Sequence, residues 1–585
     1  MGHDLTIRIG GEAGMGLESS GAGFAKALAR GGLHVFGLPD YHSRIRGGHN
    51  FFSIRISPQP LYSHAEPVHL LLALDAETIR QHVDSVVPGG GVVYDEKEYG
   101  RSGAASPTDD LRRPNVGFFP VPLSALAKER GGSEMMRNTL ILGVAAGLLG
   151  FDPAYMESVI RDNFGRKGQA VVDANLKVTE AGIAAARAFQ ADFAFHMEAV
   201  PGAPPRLLLS GNQAFAMGAL AGGCRFVAGY PMTPGSPVLE WMAAHAAEYG
   251  VVAAQVEDEI AAACAIVGAA QAGARALTPT SGGGFCLMVE ALGLAGMTEV
   301  PIVIYEAQRP GPSTGLATRT EQGDLLFALH ASQGEFPRVL LAPGTVEQSF
   351  EAGWRALNLA ERCQSPAIVL SDHFLANALR TVDALDFDAV TIDRGDLSSD
   401  ADLDALQGEY KRHAFTESGV SPRAIPGHSK AVYAPSSDEH GEDGHILEDA
   451  DNRRRMMDKR MRKLEAARQE MRPPALYGAP QADVAFVGWG STYGPLREAV
   501  DRLNAQGVRA QMLHVCDVWP LPAGPVAEML AAAKRVIAVE NNYSGQLADL
   551  LRQATGYHIA DRILKYDGRP LSPEYILRQF ESMRP

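Results

Sequence analysis

The sequence is poor in cysteine, and its few cysteines are far apart. Among 585 residues there are five, Cys224, Cys264, Cys286, Cys363 and Cys516, and no pair has CxxC spacing. Disulfide frameworks and iron–sulfur clusters require paired or closely spaced cysteines. We therefore expect mostly packed free thiols, and no cluster or other metal held by this chain alone.

Long apolar runs and an excess of basic charge are also missing. The apolar run from Thr139 to Phe151 is shorter than the roughly 20 residues that cross a bilayer, and the charged start MGHDLTIRIGG lacks a signal-peptide core. The 68 acidic and 53 basic residues give a net charge of −15, which disfavours contact with nucleic acid phosphates. We expect a cytoplasmic protein that binds neither nucleic acid nor a membrane.

The dominant pattern is an alternation of short apolar strands with Ala/Gly-rich helices. A strand-like run from Leu5 to Ile9 leads through GGEAGMG into a helix-like stretch from Glu18 to Arg30. RFVAGY, PIVIYE and AIVLSD repeat the pattern between Leu207 and Phe374, and ADVAFVGWG, RAQMLHVC and RVIAVEN repeat it near the end. This alternation predicts the α/β class, with parallel sheets in three α/β domains.

Changes in composition divide the chain into five segments. We predict a first α/β domain at residues 1–190, a Pro/Gly-rich linker at 191–206, a second domain at 207–375, an irregular insertion at 376–478 and a third domain at 479–585. In the insertion, the charged run DNRRRMMDKRMRKLE is typical of an exposed helix. His440 and His445 lie among acidic residues, which favours a solvated loop over a metal site.

Four linked motifs follow strand ends, where open α/β sheets bind ligands. They are AGYPMTPGSP, QVEDEIAAACAIVGAAQAGA, TPTSGGGFCLMVEALGLAG and IYEAQRPGPSTGLATRTEQGD. In this order they resemble the alpha chain of the 2-oxoacid:ferredoxin oxidoreductases, of the 2-oxoglutarate type. IGGEAGMG and PDYHSRIRGGHNFFSIRIS resemble the gamma domain of that family, fused here ahead of a pyrimidine-binding domain and a transketolase C-terminal-like domain.

The resemblance implies that Glu259 activates thiamine diphosphate, with Glu257 as the fallback. The cofactor becomes nucleophilic when a carboxyl group is hydrogen-bonded to its pyrimidine ring, and a glutamate in an apolar pocket suits this role. Tyr230 and Pro231 are the other expected cofactor contacts. The small residues after Glu259, including Gly268, are expected to let the helix backbone approach closely. Alternatively, Glu259 is only a first-turn acid favoured by the helix dipole.

Substrate residues follow from the same resemblance. Arg309 would bind the 2-oxoacid carboxylate in a planar fork, with Thr233 nearby, and the alternatives are a surface ion pair for the arginine and a proline-framed turn for the threonine. A second positive charge in the next loop would suit a dicarboxylate such as 2-oxoglutarate, and the alternative is that this loop packs against a partner. The candidates in the loop are Ser313, Thr314, Thr318 and Arg319.

Two glycine-rich turns have weaker signals. The backbone amides of TSGGGF could face a polar ligand, although a packing turn is equally consistent. GGEAGMG is a weak dinucleotide motif, because its order is reversed relative to GxGxxG and no P-loop lysine follows. The resemblance to the gamma domain implies coenzyme A contacts at Gly14, Arg44, Arg46 and His49.

The sequence also lacks parts that a complete enzyme of this type requires. No GDG motif for the Mg²⁺ that bridges the diphosphate is present, and no cysteine array for electron transfer. The resemblance places the Mg²⁺ and a [4Fe-4S] cluster on a beta subunit, which would pass electrons to ferredoxin in an α2β2 heterotetramer.

The expected reaction is the coenzyme A-dependent oxidative decarboxylation of 2-oxoglutarate to succinyl-CoA, or its reverse as in a reductive tricarboxylic acid cycle. One alternative is the same chemistry on pyruvate, branched-chain or indolepyruvate acids. The other is a non-catalytic transketolase-like scaffold subunit.

Overall fold

The computed structural model describes residues 4–42, 48–97 and 110–583, which form two compact units. The first unit contains Met1–Leu209, Ala378–Ala384 and Ser572–Glu574, and the second contains Ser210–Asn377, Leu385–Leu571 and Tyr575–Pro585. Three sheets alternate with helices along the chain. The predicted α/β class is confirmed.

The first unit is an eight-stranded sheet with helices from the same unit. Its strands are β1 (Leu5–Glu12), β2 (His34–Asp40), β3 (His49–Ser57), β4 (Val68–Ala73), β5 (Val86–Asp95), β6 (Gly117–Val121), β7 (Leu207–Leu209) and β14 (Leu379–Val382), in the spatial order β6-β5-β4-β1-β3-β2-β14-β7. Its helices are α1 (Leu17–Arg30), α2 (Ala76–His82), α3 (Leu123–Gly131), α4 (Arg137–Leu149), α5 (Pro153–Phe164) and α6 (Gln169–Ala186).

The apolar alternation of the first strands explains this sheet. Inward-facing residues of β1 and β3, such as Ile7 and Ile54, are almost fully buried, and β1 pairs antiparallel with β3 and parallel with β4. Phe52 of β3 packs where Gly21 of α1 has no Cβ, so the helix comes close to the sheet. The predicted strand, glycine-rich turn and helix are confirmed.

The second unit contains two sheets. One has the order β18-β12-β13-β11-β10-β8-β9 and the other β15-β17-β16-β19-β20. The strands are β8 (Phe226–Gly229), β9 (Val252–Gln255), β10 (Ala276–Thr280), β11 (Val303–Gln308), β12 (Val339–Leu341), β13 (Ala367–Asp372), β15 (Ala475–Gly478), β16 (Val484–Trp489), β17 (Ala510–Val515), β18 (Asp517–Trp519), β19 (Arg535–Glu540) and β20 (Asp561–Leu564).

The helices of the second unit follow these strands as the sequence predicts. They are α7 (Gly211–Ala221), α8 (Ser236–Ala244), α9 (Ala246–Tyr249), α10 (Glu259–Gln271), α11 (Gly282–Met297), α12 (Leu325–His330), α13 (Val346–Cys363), α14 (His373–Asn377), α15 (Asp400–Ala405), α16 (Ala450–Glu470), α17 (Tyr493–Ala505), α18 (Ala523–Ala531), α19 (Gln546–Thr555) and α20 (Pro573–Ser582), most of which lies in this unit. Four neighbouring strands of the first of these sheets are parallel, namely β8, β10, β11 and β13. Their carboxyl ends therefore lie along one edge of that sheet.

The prediction that α16 is exposed holds for its outer face and is wrong for the opposite one. One face of the helix is buried, and it includes the fully buried Lys459 and Lys463. Both ammonium groups bind the buried carboxylate of Glu299, with Lys459 Nζ 2.7 Å from Oε1. A charged side chain can be buried when it is paired and hydrogen-bonded, and a polarity pattern alone does not detect this.

The prediction for His440 is also wrong, whereas His445 is exposed as expected. His440 is fully buried and its ring lies 4.1 Å from that of His413. Among the described residues, Glu299, His413 and His440 form the one group of three potential metal ligands. Because two lysine ammonium groups already occupy the Glu299 carboxylate, this cluster suits an internal ion-pair network rather than a cation.

The cysteines are all unpaired, but only some are packed. Cys224 and Cys363 are buried, Cys516 is half-buried, and Cys264 and Cys286 are exposed. The prediction of free thiols is confirmed, whereas the prediction that most of them are packed is wrong, because only Cys224 and Cys363 are buried. In the described part of the chain, no helix combines the length and the apolar character that crossing a bilayer demands.

Candidate functional site

The first element of the candidate site is the start of α10. Asp258 caps the helix by accepting a hydrogen bond from the Ala261 amide at 2.8 Å, which fixes Glu259 in the first helical position. Glu259 is 3% exposed, whereas Glu257 is exposed. Burial raises the pKa of Glu259, the charge of Asp258 raises it further, and Arg309 opposes both.

A glycine in the neighbouring helix makes room for this carboxyl group. A Cβ on Gly284 would lie 2.2 Å from Thr280 Oγ1 and 2.6 Å from Glu259 Oε1. Glu259 Oε1 is buried and accepts no hydrogen bond from the described residues. A buried carboxyl oxygen without a partner is costly, so this atom is suited to a donor or proton on a bound molecule.

The interpretation of Gly268 as a close-approach residue is wrong. A Cβ at Gly268 would meet no atom within 4 Å, and the residue is exposed on α10. Ala262 and Ala263 do belong to the core, where small side chains bring helix and sheet together.

Arg309 follows β11 and lies beside the YPMTP segment. Its Nη1 donates a hydrogen bond to the backbone carbonyl of Thr233 at 2.7 Å, while its Nε is buried without a partner among the described residues. Burial lowers the pKa of the guanidinium and the charge of Glu259 opposes that effect. Glu259 and Arg309 therefore interact electrostatically in one site.

The glycine turn at the start of α11 brings the motifs together. A Cβ on Gly283 would lie 3.9 Å from Met232 Sδ and 4.0 Å from the Ser313 carbonyl. No side chain caps this helix, so its first amides are free of an internal cap. The YPMTP, TSGGGF and GPSTG segments therefore converge around one helix start, next to Glu259. Tyr230 and Pro231 lie at the exposed rim of the same segment.

The candidate substrate loop is divided by burial. Ser313 and Thr314 are exposed at its tip, whereas Thr318 and Arg319 are buried at its base. The side chain of Arg319 packs near Gly568, whose Cβ position would be 3.2 Å from Arg319 Cβ. The four residues therefore form two layers rather than one polar surface.

Sequence reasoning missed a buried carboxyl pair at the end of β11. Glu306 is fully buried and Asp324 lies beside it, and a Cβ on Gly282 would lie 2.6 Å from Asp324 Oδ2. Burial and Asp324 raise the pKa of Glu306 well above its usual value, and burial also raises the pKa of Asp324. Each of two neighbouring carboxyl groups disfavours ionisation of the other, so the pair favours a state in which at least one of them is protonated.

The turn that carries Asp324 is hydrogen-bonded to the sheet that contains β16 and β19. Gln322 donates from Nε2 to the Trp489 carbonyl at 2.9 Å and accepts at Oε1 from the Asn541 amide at 3.1 Å. Gln308 accepts a hydrogen bond from the Asp324 amide at 3.0 Å. No local pattern marks Glu306 and Asp324 as a pair, because they are separated along the chain and meet only through the fold.

The predicted residues of the first unit are described only in part. Gly14 has φ +90 and lines a cavity of about 250 Å³ near the start of α1. His49 is 5% exposed at the start of β3. Arg44 and Arg46 lie outside the described residues.

Comparisons with known families agree along the chain. Residues 217–459 match the model described as pyruvate flavodoxin/ferredoxin oxidoreductase, thiamine diphosphate-binding. Residues 6–185 match that of pyruvate ferredoxin/flavodoxin oxidoreductase, and residues 482–576 match pyruvate:ferredoxin oxidoreductase core domain II.

Relatives and a solved structure match over nearly the whole length. A 2-oxoacid:ferredoxin oxidoreductase 1 subunit alpha of Aeropyrum pernix is 36% identical, covering 98% of this chain and 96% of the relative. The 2-oxoglutarate oxidoreductase subunit KorA of Mycobacterium tuberculosis is 29% identical, covering 94% of this chain and 87% of the relative. A 2-oxoglutarate:ferredoxin oxidoreductase from Magnetococcus marinus, with 2-oxoglutarate, coenzyme A and succinyl-CoA bound, is 34% identical with TM-score 0.92 over 100% of both chains.

The α/β architecture and the converging motifs define an oxidoreductase subunit of modular construction. The chain belongs to the 2-oxoacid:ferredoxin oxidoreductase family, as an alpha subunit. The resemblance stated from its motifs is thereby confirmed.

Proposed function

We propose that this subunit, with a beta subunit, catalyses the coenzyme A-dependent oxidative decarboxylation of 2-oxoglutarate to succinyl-CoA, or the reverse reaction. The observation that carries the proposal is the buried Glu259 carboxyl group, with an unpartnered Oε1, in one site with Arg309. The relatives named for 2-oxoglutarate and the structure containing 2-oxoglutarate support the choice of substrate.

Thiamine diphosphate, when bound, would supply a carbon nucleophile for the chemistry at the keto group of the substrate. The residues present fit this group, since Glu259 offers a buried oxygen without a partner and Gly284 makes room for that carboxyl group. Glu259 holds or accepts the proton of the pyrimidine ring at Oε1, and its raised pKa favours that exchange. Tyr230 and Pro231, which are exposed at the rim, would contact the bound cofactor.

Substrate binding is assigned to the cationic side of the site. Arg309 orients the carboxylate next to the keto group, with Thr233 beside it, because the guanidinium forms directional hydrogen bonds to carboxylates. The distal end of the substrate is assigned to the same loop, with Ser313 and Thr314 at its exposed tip and Thr318 and Arg319 at its buried base. The Thr233 carbonyl fixes the orientation of Arg309 before substrate arrives.

A partner is proposed because apolar side chains are exposed beside the site. Ile260, next to Glu259, is 49% exposed, and Leu287 on α11 and Leu316 in the substrate loop are 49% and 50% exposed. Exposed apolar clusters mark protein interfaces. The beta subunit that covers them would hold Mg²⁺ and a [4Fe-4S] cluster and pass electrons to ferredoxin in a cytoplasmic α2β2 enzyme. Coenzyme A would bind the first unit at Gly14, Arg44, Arg46 and His49.

The cofactor role of Glu259 is tested with Glu259→Gln in the enzyme assembled with its beta subunit. We expect 2-oxoacid turnover to fall at least a hundredfold, since general acid–base groups contribute about 10²–10⁴-fold. Glu257→Gln is the matched control, because that side chain is exposed on the same segment, and it should keep turnover within about twofold. Equal activity of the Glu259→Gln and wild-type enzymes would refute the assignment.

The substrate assignment is tested by comparing two arginine variants on a panel of 2-oxoacids. Arg309→Lys should lower kcat/KM for 2-oxoglutarate and pyruvate alike, since both carry the carboxylate beside the keto group. Arg319→Gln should lower kcat/KM for 2-oxoglutarate about tenfold or more and change that for pyruvate little, as expected for a lost charge-assisted hydrogen bond. An unchanged preference in Arg319→Gln removes this residue from the substrate site.

A further inference from the structure

Three side chains of the first unit form a hydrogen-bonded row across its sheet. Arg8 Nη1 lies 3.2 Å from His82 Nδ1, and His82 Nε2 lies 2.8 Å from His49 Nε2. His82 is 8% exposed and His49 5% exposed. The row links β1, the end of α2 and the start of β3.

The chemistry of arginine fixes every proton in this row. A guanidinium only donates, so His82 must accept at Nδ1 and carry its proton on Nε2. That proton is donated to Nε2 of His49, which therefore carries its own proton on Nδ1. The Nδ1–H of His49 is buried and has no partner among the described residues.

Arg8 is held firmly at the far end of the row. Its Nε donates to Ser53 Oγ at 2.9 Å, and its guanidinium carbon lies 4.9 Å from the centre of the Phe51 ring. Burial lowers its pKa to about 10, so it remains charged at neutral pH. Burial and the charge of Arg8 lower the pKa of His82 to about 3, so that His82 stays neutral.

Other charged groups around His49 do not reverse this state. Asp75 and Glu77 on α2, together with Asp40 on β2, raise its pKa, and His42 lowers it. Burial is the largest influence and lowers the pKa of His49 below its ordinary value. The buried imidazole of His49 is therefore a neutral donor rather than a cation.

His49 stands beside the glycine-rich turn of the first unit. It pairs with Glu12 across the sheet, and a Cβ on Gly10 would lie 3.0 Å from His49 Cε1. The turn leads into α1, a helix of 14 residues without a side-chain cap. Free helix amides and a buried N–H without a partner both favour a ligand with acceptor oxygens.

We propose that Arg8 and His82 are positioning residues, which hold His49 as a neutral imidazole that donates from Nδ1 to an acceptor oxygen of coenzyme A. This inference rests on the proposed binding of coenzyme A by the first unit. His49 is the residue in contact with the ligand, and the other two act only through it.

The test uses the assembled enzyme and two variants of one position. In His82→Phe the donor to His49 is lost, its tautomer is no longer fixed, and the KM for coenzyme A should rise about three- to tenfold, the worth of one neutral hydrogen bond. The kcat at saturating coenzyme A and the KM for the 2-oxoacid should stay unchanged. His82→Gln keeps an amide donor and should restore the wild-type KM within about twofold.

Calorimetric titration of coenzyme A and thermal melting accompany these assays. A lowered melting temperature would identify a folding defect in His82→Phe. In that case Arg8→Met is used instead, because it removes the donor that fixes the His82 tautomer. The KM for coenzyme A should rise by the same factor in this variant. The proposal is overturned if the KM for coenzyme A is unchanged in folded variants, or if His82→Gln is as impaired as His82→Phe. The proposed function itself fails separately, if the wild-type enzyme shows no saturable binding of coenzyme A.

Discussion

At the scale of single residues, the candidate site depends on the absence of a side chain. Gly284 has ordinary helical surroundings, yet any Cβ there would meet Thr280 and the Glu259 carboxyl group. The glycine is thus required by space rather than by backbone conformation, because its φ is not positive. Its substitution should disturb Glu259 before it disturbs the helix.

We expect Gly284→Ala to lower kcat at least tenfold, because displacement of a catalytic group by a fraction of an ångström is costly. Gly268→Ala is the matched control, since alanine there meets nothing and favours the helix by about 0.5–1 kcal/mol. Steady-state rates and melting temperatures of both variants measure the contrast. Similar activities in the two variants would contradict the steric argument.

The sequence allowed the principal residues of the site to be predicted, but not their neighbours. Glu259 and Arg309 follow strand ends in recognisable motifs, and the structure brings them together. Glu306 and Asp324 are separated along the chain and meet only through the fold, so no local pattern reveals the pair. His82 was missed for the same reason, because its partner His49 is on another element.

At the scale of elements, α16 shows how polarity can conceal burial. Its lysines at positions 459 and 463 are one helical turn apart and share Glu299, which also accepts from His413 at 3.1 Å if that ring donates. The outer face carries ordinary exposed pairs, such as Glu465 with Arg468. The lysine charges that favoured a solvated helix in the sequence are therefore the groups that hold the helix against Glu299.

Glu299→Gln should destabilise the protein by about 3–5 kcal/mol, since it leaves two buried ammonium groups without a counter-charge. Glu465→Gln removes an exposed pair of the same helix and should change stability by less than about 0.5 kcal/mol. Limited proteolysis within residues 450–470 and urea unfolding report the difference. If the two variants behave alike, the buried network does not hold the helix.

At the scale of the whole molecule, a buried neutral histidine makes the folded state less stable at acidic pH. His514 is fully buried in the second unit and donates from Nε2 to the Gly490 carbonyl at 2.9 Å, and burial lowers its pKa to about 4. The unfolded chain protonates this ring near pH 6.5, whereas the folded protein does not. Its contribution to stability is therefore complete above pH 6.5 and lost as the pH falls towards 4.

When the pH is lowered from 7.5 to 5, the titration of His514 should lower the free energy of unfolding by about 2 kcal/mol. His514→Gln keeps a donor for the Gly490 carbonyl but does not titrate, so its melting temperature should fall less over this range than that of the wild type. An equal fall in both proteins would show that this histidine does not control the acid response.

The class of fold was predictable because each strand and helix has its own apolar pattern, whereas the membership of each sheet was not. Strand β14 follows the second group of motifs in sequence, yet it lies between β2 and β7 in the sheet of the first unit. It is four residues long, and nothing in so short a segment specifies a partner more than 300 positions earlier.

Strand β14 has a consequence for how the protein is made. On the ribosome, the first unit must wait while residues 210–377, which belong to the second unit, are synthesised, roughly ten to thirty seconds at 5–20 residues per second. Until then the edge of β2 has no neighbour on that side and can pair with another nascent chain. The open edge of β2 therefore exists for a time set by the rate of synthesis, whatever the stability of the finished sheet.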